Sequence, residues 1–123
     1  MRARHLAMTW LLAVLGMAGV FAHAAEIGDT IRLPDVTLLD GRTVPASQWA
    51  GKPVVIEFWA SWCPFCALQN PRLQALYDKT RGTKLQVLTI SIDKQPQDAV
   101  AYLKQRGYSF PAAIDSEDRK STR

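Results

Sequence analysis

The sequence predicts an α/β fold, and three observations carry that prediction. "VVIEFWA" (54–60) and "LQVLTISID" (85–93) are apolar, β-branched runs of strand length. Between them the apolar residues fall at helical spacing. After them, a second helical stretch leads to a third short apolar run, "YSFPAAID" (108–115). Strand, helix, strand, helix, strand in alternation implies a parallel sheet with right-handed crossovers.

Each element has its own signals. In "EIGDTIRLPDVTLLDGRTVPASQW" (26–49), Asp40-Gly41 marks a hairpin turn, with Val36 and Leu38 before it and Val44 after it. Ser47 opens one helical turn through Trp49, and Gly51-Lys52-Pro53 ends it. The run 54–60 is broken only by Glu57 and reads as a central strand buried on both faces. A helix is expected from Cys63 to about Arg81, with Leu68, Leu73, Leu76 and Tyr77 on its apolar side and Gly82 as the stop. Pro71 falls inside it and predicts a kink. Pro96 suits the first turn of the next helix, whose stripe is Ala99, Val100 and Leu103 and which ends at Gly107.

The first residues do not belong to this domain. Met1 to His5 is short and basic, and Leu6 to Ala22 is a nearly unbroken apolar run. Ala22-His23-Ala24 places small residues where a signal peptidase reads, so residues 1–24 are expected to be a signal peptide cut before Ala25. Left uncut, the run is a membrane anchor, since it approaches the roughly 17–25 residues of a span. Either way the rest is exported, with the periplasm as the expected location. Residues 25–115 are the expected domain, and the charged, aperiodic 116–123 is an unstructured tail. Without Arg2 and Arg4, 13 basic side chains face 11 acidic ones. That balance, with no basic stripe, argues against a nucleic-acid partner.

Both cysteines of the chain, Cys63 and Cys66, lie in "WASWCPFCALQNP" (59–71). A structural zinc site needs four ligands, and no further cysteine and no histidine follow residue 24. Covalent haem attachment wants a histidine after the second cysteine, where Ala67 stands. No cofactor or metal is therefore expected. A static disulfide is the alternative, but closing so small a loop removes little unfolded-state entropy.

A redox couple has a positive physical case. Cys63 follows a strand and opens a helix, beside unpaired backbone N–H groups at the positive end of the helix dipole. Such donors lower a thiol pKa. At about 8.5 roughly 3% of a thiol is ionised at pH 7, whereas near 7 about half is. Cys63 is thus the expected attacking thiol, and Cys66, one turn in, the resolving one. Pro64 has no N–H to leave unpaired, and removes one donor from the thiolate. Trp62, Pro64 and Phe65 are the candidate substrate contacts, with Phe65 packing beside Trp62 as its alternative. Glu57, six residues before Cys63, is a carboxylate in an apolar strand; burial would raise its pKa and suit it to relay a proton to Cys66, the alternative being an outward-facing acid on a partly exposed strand.

"GKPVVIEFWASWCPFC" (51–66) resembles the active-site strand and turn of the thioredoxin superfamily, and within it the exported TlpA/ResA-type thiol–disulfide reductases. The likeness extends over residues 26–115, with 26–53 resembling the hairpin extension of that branch and of its peroxiredoxin relatives. Pro71 matches the family's helix-kink proline, and Glu57 stands where thioredoxin has its buried acid. The resemblance implies a thioredoxin-like fold and reduction of protein disulfides, such as those in cytochrome c maturation, with electrons from a membrane thiol donor. It also implies a cis-proline loop, an antiparallel strand pair and a final helix after Asp115. "SEDRKSTR" matches none of these, and Pro111 belongs to the strand before that loop. A C-terminally truncated domain with an open sheet edge is therefore expected.

Three other functions compete. An inactive fragment of such a reductase is the principal alternative. A thiol peroxidase of the related family needs Thr and Pro just before its cysteine, where Ala60-Ser61-Trp62 stand instead. A copper-binding module on this fold needs a histidine ligand that the mature chain lacks.

Overall fold

The computed structural model describes residues 26–115; the expected signal or anchor (1–24) and the tail (116–123) lie outside the described residues. Two units divide the chain after Ile31. In the first, the described residues form a turn of their own, closed by the Asp29 N–H on the Glu26 carbonyl (3.1 Å).

The second unit carries the expected alternation. A short hairpin comes first, β1 (Val36–Thr37) antiparallel to β2 (Thr43–Val44). Its turn uses Gly41 at φ 88°, a left-handed conformation that glycine adopts without penalty. One helical turn follows, α1 (Ala46–Trp49), then β3 (Val54–Trp59), α2 (Pro64–Thr80), β4 (Gln86–Ser91), α3 (Pro96–Arg106) and β5 (Ala112–Ile114). The three long-range strands form a parallel sheet in the order β3-β4-β5.

Period-two alternation along these strands builds a core on each face of the sheet. On one face Trp59, Val87 and Ala112 pack with Leu73 of α2 and with Ala99 and Tyr102 of α3. Trp59 anchors this side: its ring lies 5.3 Å from Tyr102 and 6.4 Å from Phe110, and its indole N–H donates to the Thr89 hydroxyl at 3.0 Å. On the other face Leu38 of the hairpin and Trp49 of α1 cover Leu88 and Ala113.

Four expectations are corrected. Strand β3 is not central and buried on both faces; β4 is, and β3 pairs only with β4 among the described residues. The hairpin face covers Val54 but leaves Ile56 and Phe58 exposed, Phe58 at 59%. Leu68 is exposed (73%) where the helical period had it inward, and buried Asn70 takes a place in the interior. In α3, Tyr102 is buried and Val100 exposed. The larger ring fills the space against Trp59, and this rotates the inward stripe away from Val100. Finally, α1 begins at Ala46, not Ser47, because the Asp35 carboxylate accepts the Ala46 N–H at 2.8 Å.

Pro71 is accommodated within a continuous α2. Gly107, at φ 70°, ends α3 by donating its N–H to the Lys104 carbonyl at 3.3 Å.

Candidate active site

At the carboxyl end of β3 the chain turns and enters α2, and both cysteines lie at that junction. Cys63 is the N-cap residue of α2, with extended backbone (φ −86°, ψ 116°), and Pro64 occupies the first helical position. The turn is closed by the Cys63 N–H on the Ala60 carbonyl (3.2 Å). The Ala67 N–H then bonds the Cys63 carbonyl (3.2 Å) as the helix starts.

Cys63 and Cys66 are joined as a disulfide, with Cα atoms 5.3 Å apart. The Cys66 backbone N–H also donates to Cys63 Sγ at 3.2 Å. Sulfur thus takes the role that a serine or aspartate oxygen plays at an ordinary N-cap. Both cysteines are half-buried, so the pair is reachable from solvent. Cys66 packs against the Trp59 core, whereas the bridge residues Pro64 and Phe65 are exposed, Phe65 at 82%. Trp62 is exposed as well, at 70%. The three candidate contacts therefore rim the disulfide with apolar surface.

Glu57 lies on the helix-covered face of β3, between Val55 and Trp59. It is half-buried, not enclosed, and its Oε1 accepts a hydrogen bond from Gln69 Nε2 at 3.1 Å. The burial that the relay reading expects for this carboxylate is only partial, since β3 pairs only with β4 among the described residues. Gln69 stands one turn beyond Cys66, so the Glu57 contact reaches the helix that carries the pair.

Three nearby side chains escaped the sequence analysis. Asp93, just beyond β4, is buried and accepts hydrogen bonds from Ser61, two residues before Cys63. Asn70, also buried, follows Cys66 by one turn; its amide nitrogen is 3.5 Å from Tyr102 Oη and its Oδ1 has no protein partner among the described residues. Gln69 is the third. The signal for Asp93 was a carboxylate directly after a buried strand, at the end where ligands of α/β sheets gather. For Asn70 and Gln69, nothing separated them from ordinary helix-surface amides.

A parallel three-stranded sheet, the long helices α2 and α3 on one face and a Cys-x-x-Cys disulfide at the start of α2 define a thioredoxin-like protein. The chain belongs to the AhpC/TSA family, whose sequence model matches residues 27–123. Among curated proteins it is similar to the thiol-disulfide oxidoreductase ResA of Geobacillus thermodenitrificans, 27% identical over 114 residues, covering 89% of this chain and 66% of that protein. ResA of Bacillus thuringiensis subsp. konkukian is 30% identical over 90 residues, 73% of this chain and 52% of that protein. The chain thus spans between about half and two thirds of these relatives' length. Two solved structures share the fold. StoA from Bacillus subtilis superposes with a TM-score of 0.58 at 22% identity, covering 72% of this chain and 70% of that one. The thioredoxin domain of a Bacteroides vulgatus thiol-disulfide oxidoreductase gives 0.63 at 19%, covering 80% and 71%.

Proposed function

We propose that this protein is an exported thiol–disulfide oxidoreductase that reduces protein disulfides in the periplasm. The observation that carries this reading is the Cys63–Cys66 disulfide at the amino terminus of α2, with the Cys66 N–H on Cys63 Sγ. That donor, with the helix dipole behind it, favours negative charge on Cys63 when the pair is reduced. The Cys63 thiolate attacks one sulfur of a substrate disulfide, forming a mixed disulfide and releasing one substrate thiolate. Cys66 then attacks Cys63 Sγ, which releases the second substrate thiol and leaves the chain oxidised. A membrane thiol donor restores the dithiol by the same exchange in reverse.

In this reading Trp62, Pro64 and Phe65 hold the substrate chain over the disulfide, and Glu57 takes up the Cys66 proton as Cys66 becomes a nucleophile. Support for export comes from the basic and apolar residues 1–24, which either direct secretion and are removed or stay as an anchor. Support for thiol–disulfide exchange comes from the similar ResA proteins, which are named thiol-disulfide oxidoreductases; reduction as its direction is what the resemblance to the exported reductases implies. The test is insulin reduction with dithiothreitol as electron source. Acceleration that disappears in Cys63→Ser is expected. A rate equal to dithiothreitol alone, from a folded chain with an intact dithiol, overturns the assignment.

A further inference from the structure

The last backbone bond between β3 and β4 runs from the Ile92 N–H to the Trp59 carbonyl, 2.9 Å. Beyond it the two chains part, one towards Cys63 and the other towards α3. Asp93 bridges the gap. Its Oδ1 accepts from the Ser61 hydroxyl at 2.7 Å and from the Ser61 N–H at 3.2 Å; its Oδ2 accepts from the same N–H at 3.1 Å and from the Ser91 hydroxyl at 2.7 Å. Ser91 in turn accepts the Asp93 N–H at 3.0 Å, which fixes the carboxylate at its base. Asp93 is only 5% exposed and Ser91 is fully buried.

A buried carboxylate costs free energy unless donors surround it, and this one is surrounded on both oxygens. Among the described residues its long-range bonds go to one residue, Ser61. Ser61 lies inside the Ala60–Cys63 turn that sets where Cys63 Sγ stands relative to α2.

We propose that Asp93 is a positioning residue for the redox pair: by clasping Ser61 to the end of β4 it holds Cys63 in register with Cys66. This rests on the redox reading of the pair and deepens it. With the clasp in place the two sulfurs meet at high effective concentration, and the disulfide is favoured. Without it the turn before Cys63 is tethered by the backbone alone, and the dithiol gains. Asp93 touches no reacting atom; it acts through Ser61.

The equilibrium to measure is disulfide plus two glutathione thiols giving dithiol plus glutathione disulfide, on the full chain. A carboxylate with charge-assisted bonds to Ser61 is worth enough that Asp93→Asn should shift this equilibrium about tenfold towards the dithiol. For a two-electron couple that is about 30 mV. Ser61→Ala should shift it in the same direction by less, since the backbone N–H bonds survive, and Ser61→Thr should restore it. The double variant Ser61→Ala/Asp93→Asn should show less than the sum of the two single effects, as expected when both act through one contact. Should Asp93→Asn fail to fold, the Ser61→Ala and Ser61→Thr pair decides the matter. Equilibria within twofold of the unaltered chain, together with a lowered melting temperature, would mean that Asp93 only stabilises the fold, and would overturn the proposal. The readout is the chain's own disulfide, so it is independent of insulin reduction.

Discussion

The backbone N–H of Cys66 donates to Cys63 Sγ at 3.2 Å, so the N-cap of α2 is a sulfur atom of the disulfide itself. Capping and chemistry share one contact. The donor that starts the helix is also the donor that would stabilise a thiolate on Cys63. The two cysteines therefore have different roles, and their variants should behave differently. Cys66→Ser should accumulate a mixed disulfide with substrate, seen as an added mass on Cys63. Cys63→Ser should form none. Equal trapping by both variants would remove the assigned order of attack.

Glu57 and Gln69 make the next prediction. The Glu57 carboxylate holds Gln69 Nε2 at 3.1 Å, on the helix that carries Cys66. Glu57→Gln keeps the shape and can still hydrogen-bond Gln69, so the melting temperature should change little. Turnover should fall about tenfold or more if the carboxylate handles the Cys66 proton, given the usual size of general acid–base contributions. Full turnover with a native melting temperature would exclude the relay.

The Trp59 core sets the stability of the scaffold. Thr89→Val keeps the volume at a fully buried site but strands the Trp59 indole N–H, which donates to Thr89. The expected cost is about 1–3 kcal/mol, measured by urea unfolding.

Two leucines on α2 test which side of the helix is buried. Leu73→Ala should cost about 2–5 kcal/mol, because Leu73 is in the core. Leu68→Ala should stay within about 0.5 kcal/mol, because Leu68 is exposed. Similar losses at both positions would contradict the helix orientation.

The hairpin carries a pH signature. The Arg42 backbone N–H, and then its guanidinium, hold the Asp40 carboxyl below the ordinary carboxylate value. A lowered folded value means that its contribution is present above the ordinary value and is lost as pH falls through the folded one. Asp40 is exposed, so the effect is local. The Arg42 amide resonance should move as pH drops below about 4, and Asp40→Asn should abolish that movement.

Much of this was legible in the sequence. Alternating apolar periods gave the element order because each strand and helix buries a face with its own period. Asp40-Gly41, Pro64, Pro96 and Gly107 marked turns and helix ends because each acts on its own backbone. The role of β3 was not legible: an apolar run reads the same whether one edge or two are paired, and so Ile56 and Phe58 were misplaced. Helical spacing likewise pointed to Val100, which is exposed, because the packing of Tyr102 against Trp59 that turns the helix is not local. The cysteines stood out because their motif is local. Asp93 did not, because it meets Ser61 from 32 residues away and only the parallel pairing of β3 with β4 brings them together.

The most direct test is the alkylation rate of the reduced chain against pH, measured on the unaltered protein and on Cys63→Ser and Cys66→Ser. Cys63 should titrate clearly below the ordinary thiol value of about 8.5, with Cys66 reacting slowly. If both thiols react alike near 8.5, the amino terminus of α2 does not activate Cys63, and the proposed chemistry fails.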